Sequence, residues 1–183
     1  MIDLRIDLRK DPDIQKLPED VQTKLSDFIE SIPKVKFFKP DGKPKKEWKV
    51  FYGDTWASAR ASARDSTRAF AWTSRDSEWA SARDSALASA RDSARGSACD
   101  SAMDFAMELT RASAKNFEWE AADDFSLKAE MITVSDLKYK NKAKHEHDVD
   151  KRIEVWKKGY GLLGDVDGVL YVYAKKGTKP LLS

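Results

Sequence analysis

The chain of 183 residues has a single cysteine, Cys99, and only two histidines, His145 and His147. One cysteine excludes an intramolecular disulfide and an all-cysteine zinc site. No run approaches 18 apolar residues, which excludes a membrane-spanning helix. The opening MIDLRIDLRK alternates charges and has no apolar core, so it does not read as a secretory signal. No proline occurs between Pro44 and Pro180, and no lysine between Lys49 and Lys115, although that stretch holds eight arginines. There is no Walker loop, no Gly-x-Gly-x-x-Gly and no Gly-x-Ser-x-Gly elbow. These absences point to a soluble, intracellular chain, expected to be cytoplasmic, with no signature of nucleotide binding or serine hydrolysis.

What is present is enough apolar material for a core: 41% hydrophobic residues, with six Trp and eight Phe. Charge is balanced overall at +2 but unevenly spread. Residues 1–53 carry 12 basic and 10 acidic side chains, residues 54–135 carry 10 and 14, and residues 136–183 carry 11 and 7. These composition shifts divide the chain into an N-terminal β/α segment (1–53), a repetitive helical region (54–135) and a short helix with a β-hairpin (136–183). The three are expected to form one domain.

The repetitive region defines the chain. Serine recurs every four residues from Ser77 to Ser101, and Trp-Ala-Ser-Ala-Arg occurs at Trp56–Arg60 and again at Trp79–Arg83. Alanine and arginine favour helix, serine less so, and no proline interrupts the stretch. A four-residue repeat drifts by about 40° per unit on an α-helix, so the serines cannot define one face. Ala69, Trp72, Trp79, Leu87, Ala90, Ala94, Ala98, Phe105 and Leu109 form an apolar stripe instead. A single helix from 55 to 132 would be about 115 Å long. A folded-back bundle with breaks near Thr73-Ser74, Gly96-Ser97 and Ser113–Asn116 is the expected solution. In it the basic column Arg60, Arg64, Arg68 would face the acidic column Asp100, Asp104, Glu108. Such helices resemble ice-binding and desiccation-protectant helices in composition only, since the regular threonine spacing of the former is missing.

The flanks read as α/β material. Ile2, Leu4, Ile6 and Leu8 alternate with charges as a half-buried strand does. Residues 17–32 read as an amphipathic helix, Val35–Phe38 and Trp48–Tyr52 as short strands, Pro40–Pro44 as a turn, and Asp54 as the N-cap of the first repeat helix. Residues 117–132 continue helical. Lys138–His147 reads as a polar linker and Asp148–Lys158 as a helix. Asp167-Gly168 between Tyr160–Val166 and Val169–Ala174 is a type I′ hairpin signal. The fold class is therefore α+β, mainly α. Ala/Ser/Arg/Asp-rich repeat helices form a bundle, and the N-terminal strand and C-terminal hairpin supply a small antiparallel β element.

Candidate sites follow from residue chemistry. Arg60, Arg64, Arg68, Arg83 and Arg91 could hold an anion through their planar guanidinium forks. Tyr139, Trp156, Lys157, Lys158, Tyr171 and Tyr173 interleave rings and cations as a single-strand nucleic-acid surface does. His145, His147 and Asp148 are the one cluster of metal-ligand types, although His-x-His alone lacks a full ligand set. Asp165 and Asp167 lack the closing glutamate of a calcium loop, and Cys99 reads as a buried small residue. No catalytic residue and no cofactor is assigned, and the chain is not expected to be an enzyme. The leading expectation is a non-catalytic helical scaffold or protein-interaction module that binds a protein partner or self-associates through Ala/Ser faces. The alternative is a module for an anionic ligand or nucleic acid, and a metal-dependent enzyme comes third.

Overall fold

A computed structural model describes residues 10–68 and 119–178, together with nine positions between 84 and 110, all of them helical. The N-terminal strand, the apolar stripe, the three repeat breaks and Cys99 lie outside the described residues.

The described chain is α+β and mainly helical. Helix α1 (Glu19–Ser31) starts after Pro18, with Glu19 and Asp20 in its first turn near the positive end of the helix dipole. Val21, Leu25, Phe28 and Ile29 recur at helical spacing and are buried. Strand β1 (Trp48–Gly53) follows a long connector, and helix α2 (Trp56–Arg68) is the first helix of the repeat. Helices α3 (Trp119–Thr133) and α4 (Lys142–Lys157) precede the hairpin of β2 (Gly161–Val166) and β3 (Val169–Lys175). At the hairpin tip Asp167 has φ 57° and Gly168 φ 78°, the pair of positive angles that a type I′ turn requires.

The three described strands form one sheet in the order β1-β3-β2. β2 and β3 pair antiparallel, but β1 runs parallel to β3, with Trp48 opposite Leu170 and Tyr52 opposite Ala174. The sheet is therefore mixed rather than antiparallel. A parallel neighbour must be reached by a crossover, and α2 with the rest of the repeat lies within that crossover. Trp48–Gly53 and the C-terminal hairpin thus share one sheet.

The two sheet faces carry different partners. Leu170, Val172 and Ala174 join Trp48, α1, α3 and α4 in the main core, together with Ala102 and Ala106 from the repeat. Phe125 is its centre: Phe28 stacks on it at 5.9 Å, and Phe37 meets both Phe125 (6.0 Å) and Trp156 (6.2 Å). On the opposite face Tyr173 packs with Ala59 and Ala63 of α2, bordered by Phe38, Phe51, Trp56 and Leu163. Residues 35–38 accordingly form no strand, and Phe37-Phe38 make a turn. Phe38 adopts φ 55°, so Phe37 serves the main core while Phe38 lies 4.5 Å from Trp56. The N-cap of α2 is Thr55, not Asp54. The Ser58 amide donates to Thr55 Oγ1 and the Thr55 amide to Ser58 Oγ, both at 3.0 Å, a reciprocal capping box with serine in the glutamate position.

α3 and α4 are joined by a buried charge. Asp124 accepts from Arg152 Nε at 2.7 Å and from Trp156 Nε1 at 2.8 Å. Arg152 and Trp156 stand at i and i+4, so one face of α4 presents both donors to one carboxylate.

Candidate anion-binding surface

Residues 34–49 contain seven lysines, Lys34, Lys36, Lys39, Lys43, Lys45, Lys46 and Lys49, against two acids, Asp41 and Glu47. Every one of the seven is exposed. The connector is polar and lysine-rich, yet its backbone is firmly placed. The Asp41 amide donates to the Lys158 carbonyl at 2.8 Å, and Tyr160 Oη donates to the Gly42 carbonyl at 3.0 Å. Burial is the first cause, and the nearby Tyr52 a smaller one, of the rise of the Tyr160 pKa above its ordinary value.

The C-terminus of α4 creates this docking. Gly159 takes φ +75°, and a Cβ there would lie 2.2 Å from the Lys39 carbonyl oxygen. The Gly159 amide donates to the Trp156 carbonyl and the Tyr160 amide to the Val155 carbonyl, the paired bonds of a Schellman motif. Glycine at this C′ position lets the connector backbone press against the helix end, which brings Lys36 and Lys39 beside Lys157 and Lys158. The Lys157 ammonium also lies 5.8 Å from the Phe28 ring centroid. Lys45 bonds Glu154 at 2.6 Å, and this contact holds its ammonium above the ordinary lysine range.

At this same end of the sheet, where Gly161 pairs with Tyr173 and Gly53 with Lys175, the Gly53 carbonyl accepts from the Lys176 amide at 2.7 Å. That places exposed Lys175 and Lys176 next to the end of β1. Tyr52, just before Gly53, is 49% exposed. Among the residues whose side chains are described it is the one exposed aromatic.

The residues singled out from sequence fall in several places. Arg60 pairs with Glu120 of α3, Arg64 is exposed, and Arg68 ends α2. Arg83, Arg91 and Asp100 lie outside the described residues, while Asp104 and Glu108 are exposed. Trp156 is fully buried, and Tyr173 and Tyr171 are 2% and 6% exposed. Those rings are core, and a base could reach them only by opening the fold. Tyr139 is half-buried beside His145, at 6.5 Å between ring centroids. Burial, with Glu146 nearby, pushes its hydroxyl pKa up to about 12. Of the six basic-aromatic candidates, Lys157 and Lys158 belong to the lysine surface.

His145 and His147 are within α4 rather than on a linker, since the helix begins six residues before Asp148. Asp148 bonds Lys151 at 3.2 Å. Among the described residues no group of three or more His, Cys, Asp or Glu side chains could hold a metal ion. No described helix is long and apolar enough to cross a membrane.

Sequence reasoning missed the connector because it read Pro40–Pro44 only as a turn. The available signal was lysine density, a net of +5 over residues 34–49. Comparison with protein-family models, with curated proteins and with solved structures yields no match to this chain.

Proposed function

We propose that the protein is a non-catalytic binding module whose lysine surface takes an anionic macromolecular partner. The observation that carries this reading is that the backbone of exposed Lys36 and Lys39 lies against Gly159, next to Lys157 and Lys158, while exposed Lys43 follows Gly42, whose carbonyl accepts from Tyr160. Lysine is a compact, mobile point charge suited to phosphates in varied positions, whereas a two-point grip on a single carboxylate favours arginine. Four described alanines of the repeat, Ala59, Ala63, Ala102 and Ala106, are buried within the fold. This favours placing the interaction on the lysines rather than on those small-residue positions.

The test uses fluorophore-labelled inorganic polyphosphate and fluorescence anisotropy across a salt series. Binding is expected at low salt, weakening steeply as salt rises from about 50 to 200 mM. The triple variant Lys36→Glu, Lys39→Glu, Lys43→Glu should weaken it and flatten the salt slope by roughly 2. No binding at low salt, or binding indifferent to the triple variant, contradicts the reading.

A further inference from the structure

The lysine surface has a built-in ring. Tyr52 stands on β1 opposite Ala174, and its hydroxyl is near enough to Tyr160 to disfavour ionisation there. Tyr160 in turn bonds Gly42, the neighbour of Lys43. On its other side the Gly53–Lys176 bond brings Lys175 and Lys176 close. Tyr52 thus stands between two lysine-bearing chain segments, one ending at Lys43 and the other carrying Lys176, whose ammonium lies 3.4 Å from Asp54 Oδ1.

Large exposed apolar residues are scarce: among the described residues they are Tyr52 and Val169. An exposed tyrosine costs apolar surface without contributing to the core. Phe51 beside it turns inward and stacks on Tyr171 at 5.7 Å, with the Lys49 ammonium 5.0 Å from the Tyr171 ring. Neighbouring rings are therefore packed and Tyr52 is left open. A ring among lysines offers what a nucleic acid strand needs, a stacking platform for a base and positive charge for the phosphates on either side. An unpaired base is required, because a paired base has both faces stacked already. A membrane would call for several apolar side chains able to enter the headgroup region, and the lysine connector has none exposed.

We infer that the surface formed by residues 34–46, Tyr52, Lys157, Lys158 and Lys176 binds single-stranded nucleic acid, with a base stacked on Tyr52. This rests on the anionic-partner reading above and names its partner. The lysines set affinity and salt dependence, and Tyr52 separates a nucleic acid from other polyanions.

The experiment measures anisotropy of a fluorescein-labelled ten-nucleotide oligo(dT) beside labelled polyphosphate, with wild-type protein, Tyr52→Ala and Tyr52→Trp. Tyr52→Ala should weaken oligo(dT) binding about tenfold and leave polyphosphate binding unchanged, and Tyr52→Trp should restore it. Because Tyr52 is half exposed, Tyr52→Trp should keep the wild-type melting temperature and Tyr52→Ala should lower it by only a few degrees, with both variants folded at the temperature of the binding assay. Ultraviolet crosslinking of 4-thiothymidine oligonucleotide to unmodified protein provides a readout that needs no variant, with the adduct expected on Tyr52 or a flanking lysine. If polyphosphate binds but oligo(dT) binding ignores Tyr52 and the crosslink lies elsewhere, the inference fails and the anionic reading stands. Preference for phosphatidylserine vesicles over oligo(dT) also overturns it. If neither polyanion binds, the anionic reading itself fails.

Discussion

The two faces of the sheet meet their helices in opposite ways. On the main-core face the helices bring the bulk, Phe28 from α1, Phe125 from α3 and Trp156 from α4, and β3 answers with Leu170, Val172 and Ala174. On the other face the sheet brings Tyr173 and Phe51, and α2 answers with Ala59 and Ala63 along its length, with Trp56 at its start edge-on to Tyr173 at 6.3 Å. Size complementarity is kept on both sides, but the large partner changes. The alanine-rich repeat is therefore not a weak core former where it is described. Its small side chains let the helix lie close to an aromatic sheet surface. So close is the approach that a Cβ on Gly53 would fall 2.3 Å from the Ala59 backbone nitrogen.

The largest expected effect is on the main-core side. Asp124→Ala leaves Arg152 and the Trp156 indole without their buried partner and should destabilise by about 3–5 kcal/mol, read by urea unfolding. Loss below 1 kcal/mol would mean that α3 and α4 are held by packing alone. On the α2 side, Ala59→Leu should cost about 1–3 kcal/mol by overpacking against the sheet. Ala57→Leu on the exposed face of the same helix should stay within about 0.5 kcal/mol. Equal effects at the two positions would break the proposed contrast between the faces.

Local chemistry made much of this fold readable. Val21, Leu25, Phe28 and Ile29 announce α1, and Asp167-Gly168 announces the hairpin, because both signals lie within a few residues of each other. The parallel partnership of β1 with β3 joins residues over a hundred positions apart and leaves no local trace. Val35–Phe38 has strand-like residues, yet consecutive Phe37 and Phe38 are drawn to opposite faces of the sheet through a positive φ. Asp54 lost the cap to Thr55 because serine at position 58 can complete the reciprocal bond. Lys157 and Lys158 are visible as a basic pair, but their meeting with Lys36 and Lys39 depends on the positive φ of Gly159, which reads from sequence only as a glycine at the entry to a strand.

Two smaller effects sharpen the account. Thr55→Ala removes the α2 cap and should cost about 1 kcal/mol, whereas Asp54→Ala, which removes an exposed pairing with Lys176 at 3.4 Å, should be nearly neutral. Tyr139 gives a pH signature. Its folded pKa of about 12 lies above the ordinary tyrosine value of 10.0, so the neutral phenol is favoured in the native state. The stability linked to it is fully present below pH 10.0 and lost as pH rises towards about 12. Spectrophotometric titration should show a late phenol that disappears in Tyr139→Phe, and alkaline unfolding of that variant should be less steep.

The central claim, that the lysine surface is the binding face, is tested most directly by acetylation footprinting of every lysine with and without oligo(dT), read by mass spectrometry. Protection of Lys36, Lys39, Lys43, Lys157, Lys158 and Lys176 is expected, with Lys24 and Lys144 unchanged. Protection confined to Lys138, Lys140 and Lys144, or no protection under conditions of saturated binding, would contradict it.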